Sequence, residues 1–332
     1  MKLVEIVKDK RVLFITTKNI DYIRNTQEIQ ILEKYSKSYE LIYSEQKNYI
    51  LRILSVWMKV INNKIKEKDI VFVGWSPQFV IPFVGYKFKD KFVVIDFFIS
   101  VYDTLVCDRK IFRKKGLIAK VLHKWDEYTL LRCNHVITDT KAHADFFIDE
   151  FDGKRELFET IYLEADFKIY YPRPQNKPKE LIDKFVVLYF GSILPLQGVD
   201  VVLDAIRELK DREDIYFDII GPIPAKYNKP IQGNVCYTEW LSQEELAEHI
   251  VNADLCLAGH FSGDIEKAKR TIPGKAYIYE AMGKNMILGD CEANRELFKE
   301  DDKHVFVEMG NRGCLKNMIL EEKAIIEIGE RV

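Results

Sequence analysis

Two segments in the second half of the chain hold residue types that bind anions. In FVVLYFGSILPLQGVDVVLDAI (185–206), an apolar run leads into Gly191 and Ser192, and Gly198 opens an amphipathic stretch. Glycine after a strand lets a ligand approach the backbone closely, and backbone N–H groups there can bind a phosphate. The segment contains neither a GxGxxG fingerprint nor a P-loop, so an ordinary strand-to-helix turn is the other interpretation.

The second segment is FSGDIEKAKRTIPGKAYIYEAMG (261–283), which is rich in cations. Its charged residues of interest are Lys267, Lys269, Arg270, Lys275 and Glu280. Basic residues beside a helix that begins near Pro273 can bind a diphosphate, because the exposed N–H groups and the helix dipole add to the side-chain charge. A carboxylate such as Glu280 can accept two hydrogen bonds from the hydroxyls of a ribose. The alternative is a solvated basic loop with a surface glutamate.

The elements that must position these residues alternate between short apolar runs and helical stretches. Strands are predicted at 12–16, 70–73, 92–96, 135–138, 185–190, 216–220, 254–258, 286–288 and 304–307. Helices are predicted at 24–36, 48–66, 110–131, 140–151, 198–210, 242–250, 274–283 and 292–299. This alternation predicts an α/β protein with parallel sheets covered on both faces. The proline-rich segment 170–180 indicates a linker, so we predict two doubly wound, Rossmann-like domains at 1–172 and 173–332, with ligands in a cleft between them.

Composition excludes several classes of protein. The formal net charge is only −2, and no basic face is concentrated enough for a nucleic-acid partner. The six cysteines include no CxxC pair, and the six histidines have no metal-like spacing, so we expect reduced thiols and no metal site. No apolar run is long enough to span a membrane, and the charged start does not resemble a signal peptide. We therefore expect a cytoplasmic protein.

The two anion-binding segments together resemble the donor-binding half of retaining glycosyltransferases of family 4, the glycosyl transferases group 1. The shared pattern is a strand ending in glycine, a loop with QG, and about eighty residues later P-x-K followed by YEAMGKNMIL, here with Pro273, Lys275 and Glu280. The segments 95–109 and 135–147 are similar to those of a bacterial subgroup. The resemblance implies the GT-B fold, in which two Rossmann-like domains face a central cleft.

The resemblance also implies roles for individual residues. Glu280 would hold the ribose of a nucleotide-diphosphate sugar, UDP- or GDP-linked, and Trp240 and Leu241, in the loop after a further strand near 234–237, would contact its base. Lys275 and Arg270 would neutralise the diphosphate, with Gly191 and Ser192 as further donors, so that Lys275 stabilises the departing charge without a metal ion or other cofactor. The family usually has Arg and Lys where this chain has Ser192 and Gln197. Arg270 and Lys275 would then take over the phosphate, or activity would be reduced.

The first half is expected to bind the acceptor. IDFFISVYDT (95–104) follows a predicted strand and supplies Asp96 and Asp103 as candidate catalytic groups. Asp103 would orient the acceptor hydroxyl or stabilise positive charge at the anomeric carbon, and Ser100 and Tyr102 would contact the acceptor. The alternative is a loop whose Ser and Asp cap the next helix. Among the histidines, only His260 follows a strand in the donor half.

These observations predict a hexosyltransferase that moves a sugar from a nucleotide-diphosphate donor to a saccharide or lipid-linked acceptor in bacterial cell-surface polysaccharide synthesis. The alternatives are an inactive or nucleotide-binding partner subunit of such an enzyme, and a GT-B nucleotide-sugar epimerase. The stretches 51–68 and 110–125 are both basic and apolar, which is typical of helices that lie on the inner face of an anionic membrane. Helices that simply pack on the sheet, with solvated cations, are the alternative.

Overall fold

A computed structural model describes residues 1–329, so the last three residues of the predicted second domain lie outside the described residues. The chain divides into two compact units on either side of the bond between Leu163 and Glu164. Each unit is built around its own six-stranded parallel sheet. The predicted α/β class with parallel, helix-covered sheets is therefore confirmed. The sequence had placed the boundary at 172, next to the proline-rich segment.

The first unit contains six strands and six helices. The strands are β1 (Arg11–Ile15), β2 (Ser38–Ile42), β3 (Ile70–Val73), β4 (Phe92–Asp96), β5 (His135–Thr138) and β6 (Phe158–Thr160), in the spatial order β2-β1-β3-β4-β5-β6. The helices are α1 (Leu3–Val7), α2 (Ile23–Tyr35), α3 (Tyr49–Asn62), α4 (Ile81–Val84), α5 (Leu117–Leu130) and α6 (Lys141–Phe151). Because all strands are parallel, their carboxyl ends meet at one edge of the sheet.

Both faces of the first sheet are covered, because its central strands are continuous apolar runs. All four residues of β3 are buried. Val71 and Val73 pack with side chains of α3, α4, α5 and α6 on one face. Ile70 and Phe72 pack with α1 and α2 on the other face. Helices α3, α4 and α5 therefore lie side by side on the same face of the sheet.

The second unit has the same plan. Its strands are β7 (Phe185–Phe190), β8 (Ile215–Ile220), β9 (Val235–Thr238), β10 (Leu255–Gly259), β11 (Met286–Gly289) and β12 (His304–Val307), in the order β12-β11-β10-β7-β8-β9. Its helices are α7 (Val199–Glu208), α8 (Gln243–Asn252), α9 (Glu266–Arg270), α10 (Gly274–Ala281), α11 (Glu292–Leu297) and α12 (Arg312–Gly329). Side chains of α7 and α12 share one core with β7, β8 and β10, while α10 contacts β10 and β11.

The predicted elements are present, with a few differences that have physical causes. The edge strands β2 and β6 were not predicted, because most of their residues are exposed or half-buried and no apolar run marks them. Helices α1, α4, α9 and α12 were not predicted either. The helix expected over 110–131 begins only at Leu117, after Gly116, and residues 103–108 form a separate wide helical turn.

Over residues 1–329, no helix combines the length and the apolar character needed to cross a membrane.

Candidate functional site

Gly191, directly after β7, leaves space at the carboxyl edge of the second sheet. Its φ of +143° is rarely adopted by residues with a side chain, and a Cβ at this position would lie 3.2 Å from Gln197 Oε1 and 3.4 Å from Lys275 Nζ. Its backbone N–H already donates to the Ile220 carbonyl at 2.9 Å. The Gly191 N–H, which was expected to bind a ligand, is thus used within the sheet. What Gly191 contributes instead is the absence of a side chain, which lets a ligand approach the backbone. Ser192, by contrast, is exposed at the same edge.

The loops after β7 and β10 are held together by their backbones. The Phe261 N–H donates to the Gln197 carbonyl at 3.2 Å. Gly198 has a φ of +64°, and a Cβ there would lie 2.5 Å from backbone atoms of Phe261 and Ser262, so only glycine fits. Leu196 packs against Ile265 and Ala268 beside α9. The two segments singled out in the sequence therefore form one site.

Lys275 is the central cation of this site. It is the second residue of α10, is 5% exposed, and donates from Nζ to Gln197 Oε1 at 2.9 Å. The Nζ atom also lies 3.6 Å from the centroid of the Tyr189 ring. Within the described part of the chain, no carboxylate forms an ion pair with Lys275. Burial consequently lowers the pKa of Lys275 well below its usual value.

Gln197 fixes the position of that ammonium group. Its Oε1 accepts from both Lys275 Nζ and the Tyr189 hydroxyl, each at 2.9 Å. Because an ammonium group can only donate, the amide oxygen must face Lys275, and the Nε2 donor is directed away from it. A Cβ on Gly191 would lie 3.5 Å from this Nε2. Lys275 and Gln197 thus present a cation and an amide donor beside the open edge at Gly191.

The basic residues before α10 lie beside this cluster on α9. Arg270 is the last residue of α9, and α10 begins at Gly274. Lys269 pairs with Glu266 at 2.8 Å and points away as a surface ion pair. His260 is buried, and burial together with the nearby charge of Lys275 lowers the pKa of His260 to about 3, so the ring is neutral. His260 therefore packs behind the site as an uncharged group.

Trp240 and Leu241 follow β9 at the same sheet edge. The carboxyl ends of β7, β8 and β9 are aligned, since Gly191 donates to Ile220 and Gly221 donates to Thr238 at 2.7 Å. Two strand spacings, about 10 Å, separate β7 from β9. Trp240 is exposed, whereas Leu241 is half-buried. An exposed indole at this distance is suited to contact a planar base.

Glu280 is not brought together with Lys275. Its carboxylate accepts from His304 Nε2 at 2.7 Å, and His304 is the first residue of β12. His304 lies opposite Met286, which is opposite Cys256, which in turn is opposite Leu188 of β7. Three strand spacings, about 14 Å, therefore separate β12 from β7. In this structure Glu280 lies beside the first residue of β12, away from Gly191 and the carboxyl ends of the strands.

In the first unit, Asp96 forms a buried ion pair. It ends β4 and accepts from Arg24 Nε at 3.0 Å and from Arg24 Nη2 at 3.2 Å. Glu28 lies 3.7 Å from Arg24 Nε, and burial, followed by the charge of Asp96, raises the pKa of Glu28 well above its usual value. Burial thus favours the neutral, protonated form of Glu28, and Asp96 is the carboxylate that pairs directly with the guanidinium. This pairing uses the carboxylate that the sequence placed in the catalytic role.

Ser100, Tyr102 and Asp103 are also buried, and their neighbourhood is organised by Asp126 of α5. The Asp126 carboxylate accepts from Ser100 Oγ at 2.6 Å and from the backbone N–H of Tyr102 at 2.8 Å. Ser100 Oγ in turn accepts from the Asp103 N–H at 2.9 Å. Ser100 thus caps the helical turn that follows it, which is the alternative that the sequence left open. The Tyr102 ring packs edge-on against His123, with ring centroids 5.1 Å apart.

An aromatic group at the carboxyl edge of the first sheet was missed. Trp75, after β3, lies 4.8 Å from the Tyr22 ring and 5.2 Å from the Phe98 ring, and Lys18 Nζ lies 4.5 Å from the Trp75 centroid. Trp75 and Ser76 have φ of 25° and 51°, which is strained for residues with side chains. Strain and half-exposed aromatic rings at a sheet edge are features of ligand sites.

Some of the missed residues left a signal in the sequence, and others did not. Arg24 and Glu28 are charges four residues apart on the buried side of α2, and Asp126 is an acid on the buried side of α5. Charged residues at positions that the helical period assigns to the core indicate a buried polar network. Tyr189 lies within the apolar run of β7 like any other core residue, so nothing in the sequence marks its hydroxyl as a partner of Gln197.

The chain is similar to one protein family and to several solved structures. Residues 184–321 match the family model of the glycosyl transferases group 1. Among solved structures, Alr3699/HepE from Anabaena in complex with UDP and glucose is similar over 95% of this chain and 90% of its own, with 13% identity and a TM-score of 0.63. Sucrose-phosphate synthase from Thermosynechococcus elongatus is similar over 96% and 90%, with 11% identity and a TM-score of 0.67.

The lipopolysaccharide outer core galactosyltransferase WaaB, in its apo form, is similar over 94% of this chain and 91% of its own, with 14% identity and a TM-score of 0.56. No curated protein sequence matches the chain. The structural likeness extends over both units, whereas the family match lies within the second unit, around Gly191, Gln197 and Lys275. The chain therefore has the GT-B fold, and its residues 184–321 match the family model of the glycosyl transferases group 1.

Proposed function

We propose that the protein is a retaining hexosyltransferase that uses a nucleotide-diphosphate sugar, with UDP as the first candidate nucleotide. The observation that carries this proposal is Lys275, a buried cation without a carboxylate partner in residues 1–329, which faces the open backbone at Gly191. A buried ammonium group is costly unless an anion binds it. HepE, a structural neighbour, has been solved with UDP and with UDP-glucose, which supports the choice of UDP.

The reaction needs positive charge where the diphosphate leaves. The bond from the anomeric carbon to the diphosphate oxygen breaks, the acceptor oxygen bonds to the same face of that carbon, and the acceptor proton passes to the departing phosphate oxygen. Negative charge grows on the diphosphate during this step, so a fixed ammonium group stabilises the transition state more than the bound donor. Lys275 would supply this charge and Gln197 Nε2 a hydrogen bond, so that no metal ion is needed for the step. Arg270 and Ser192, which lie in the same two segments, would be further donors.

The acceptor is proposed to be a saccharide or a lipid-linked saccharide used in the assembly of bacterial surface polysaccharides. The similarity to WaaB, named as a lipopolysaccharide core galactosyltransferase, supports this class of acceptor. In the first unit, Trp75 and Tyr22 offer half-exposed ring faces at the carboxyl edge of the sheet. Aromatic faces of this kind can pack against the apolar face of a sugar.

The test measures nucleotide binding and turnover in the same preparation. Thermal unfolding is recorded with UDP, GDP, ADP, dTDP and CMP for the wild type, Lys275→Met and the control Lys269→Met. At a concentration one hundred times its Kd, a ligand stabilises the native state by about 2.7 kcal/mol. We expect one nucleoside diphosphate to raise the melting temperature of the wild type and the control, but not of Lys275→Met. Because Met fills the same space without a charge, the unliganded variant should unfold at no lower temperature than the wild type.

Turnover separates the competing functions. A transferase releases the nucleoside diphosphate only when an acceptor is present, apart from slow hydrolysis of the donor. A partner subunit binds the nucleotide and releases none, and an epimerase converts the donor sugar without needing an acceptor. If no nucleotide changes the melting temperature, or if Lys275→Met responds like the wild type, the proposed donor site is wrong.

A further inference from the structure

Helix α3 exposes an apolar stripe that a purely sheet-covering helix would not have. Ile50, Leu54, Met58 and Ile61 are spaced four, four and three residues apart and therefore line one side of the helix. Between 40% and 68% of each is exposed, although Val56 and Val60 on the opposite side are fully buried in the core. A surface helix of a globular protein normally carries polar residues on its outer side.

The apolar surface continues onto the two neighbouring helices. Trp57 of α3 stacks on Phe83 of α4 with ring centroids 4.4 Å apart, and Phe83 lies 6.1 Å from Trp125 of α5. Phe83 and Tyr86 are themselves exposed at the surface. Because α3, α4 and α5 cover the same face of the sheet, their outer sides point in the same direction.

Helix α5 adds further exposed apolar side chains in its first two turns, namely Leu117, Ile118 and Val121. We call the exposed apolar residues of α3, of α4 with the following turn, and of α5 the apolar face. Exposed apolar patches this extended usually mark a site of interaction.

Cations cluster directly before α5 and along its first half. Between residues 109 and 124 there are seven Lys and Arg and no Asp or Glu. Arg113, Lys114 and Lys115 are exposed directly before α5, and Lys120 is exposed on it. In the part of the chain that the structure describes, only Lys124 of the seven forms an ion pair, with Glu127. This part of the chain therefore carries uncompensated positive charge.

The positive charge near α5 indicates which kind of partner binds the apolar face. The cores of protein–protein interfaces are depleted in Lys, and a symmetric contact with a second copy would place these cations close to one another. An anionic lipid surface satisfies both features, because its head groups attract the cations while the apolar side chains enter the boundary of the acyl chains. We propose that the apolar face docks on the surface of an anionic phospholipid bilayer. Each Lys or Arg near such a surface strengthens partitioning about fivefold.

Flotation with vesicles tests this inference on the full chain. The vesicles are phosphatidylcholine alone, or phosphatidylcholine mixed with phosphatidylglycerol. Leu54→Glu/Met58→Glu removes apolar contacts, and Lys114→Glu/Lys115→Glu reverses charge. The control is Ile231→Glu, which replaces a 99% exposed apolar residue of the second unit. All substituted residues are exposed, so melting curves should be unchanged and should show that each variant is folded.

We expect the wild type and the control to bind the phosphatidylglycerol vesicles at least tenfold more strongly than the neutral ones. Each double variant should bind the phosphatidylglycerol vesicles at least tenfold more weakly than the wild type. If the wild type stays unbound with phosphatidylglycerol, or if the double variants bind as it does, the inference is wrong. Vesicle-independent dimerisation that Leu54→Glu/Met58→Glu abolishes would instead assign the face to a second copy. None of these outcomes depends on nucleotide binding, so they are independent of the proposed activity.

Discussion

Lys275 shows how a single residue can be poorly solvated in the free protein and still be suited to bind an anion. Its ammonium group has exchanged water for one amide oxygen and the face of a tyrosine ring. Burial lowers the pKa of Lys275, so the unliganded protein holds this proton less tightly than an exposed lysine does. A diphosphate beside Nζ would reverse the effect, because a nearby anion favours the charged form.

This reversal predicts proton uptake when the nucleotide binds. Affinity should be highest below the pKa of Lys275 in the unliganded protein, and should fall as the pH rises toward the higher pKa in the complex. Isothermal titration calorimetry in two buffers with different ionisation enthalpies, at several values between about pH 7 and 10, measures the protons taken up. In Lys275→Arg the uptake should disappear, because guanidinium stays charged throughout this range. The titration of the diphosphate itself is common to both proteins, so equal uptake in the two would contradict the assignment.

The buried ion pair of Asp96 predicts that substituting this residue lowers the stability of the protein. Asp96→Asn removes the carboxylate that balances Arg24, but Glu28 can then lose its proton and take over the ion pair. We expect Asp96→Asn to lower the free energy of unfolding by about 1–3 kcal/mol, and Asp96→Asn/Glu28→Gln by about 3–5 kcal/mol, since the double variant leaves a buried cation unpaired. Denaturant titration followed by circular dichroism measures both. A double variant as stable as Asp96→Asn would show that Glu28 does not take over, and unchanged nucleotide binding would confirm an intact second unit.

At the scale of elements, each unit holds a loop at the carboxyl end of a strand in place through contacts with another, distant part of the chain. In the second unit, backbone contact at Gly198 joins the loops after β7 and β10. In the first unit, one carboxylate of α5 holds the start of the segment after β4, and it also accepts from Gln78 Nε2 at 2.9 Å. Asp126 therefore connects three elements that are far apart in the chain.

Removing this carboxylate should loosen the segment after β4. Asp126→Ala removes the acceptor of the Ser100 hydroxyl and of the Tyr102 N–H, and one of the two acceptors of Gln78 Nε2, so we expect a loss of about 3 kcal/mol of unfolding free energy. Hydrogen exchange followed by mass spectrometry should show faster exchange in residues 100–108 than in the wild type. The matched control is Asp145→Ala, on α6, whose carboxylate forms an exposed ion pair with Arg155. Equal protection of 100–108 in both variants would mean that Asp126 does not hold this segment.

At the scale of the whole molecule, the two units differ in charge. Up to Leu163 the chain has 28 Lys and Arg against 22 Asp and Glu, a net +6, whereas the remainder has 22 against 30, a net −8. The positive unit is the one that carries the apolar face. The field of the molecule therefore favours an anionic surface on the first unit and disfavours it on the second.

This asymmetry predicts that binding to anionic vesicles depends on salt. Screening shortens the reach of the charges to about 3 Å at 1 M salt, so vesicle binding should fall at least tenfold between about 0.05 and 0.5 M NaCl. Lys114→Glu/Lys115→Glu should show a shallower dependence, because fewer counterions are involved. Leu54→Glu/Met58→Glu should bind more weakly while its dependence on salt is no shallower than that of the wild type. Salt-insensitive binding by the wild type would show that charge does not contribute.

The sequence by itself determined the α/β class, the positions of the central strands and the two second-half segments that meet at Gln197 and Lys275. These features are local: a continuous apolar run such as Ile70–Val73 specifies a buried parallel strand, and the glycine after β7 is adjacent to it in the chain. The resemblance carried by Gly191, Pro273 and Lys275 lies within the segment that the family model matches.

Only the tertiary structure decided which side chains meet. Gln197 and Lys275 are 78 residues apart, and Arg24 and Asp96 are 72 apart, so their pairing depends on how strands and loops are aligned in space. The same alignment places Glu280 beside β12, although in the sequence it is only five residues from Lys275. Periodicity along the chain specifies elements because it reports on burial, whereas contacts between distant elements depend on strand order and register, which a single sequence does not display.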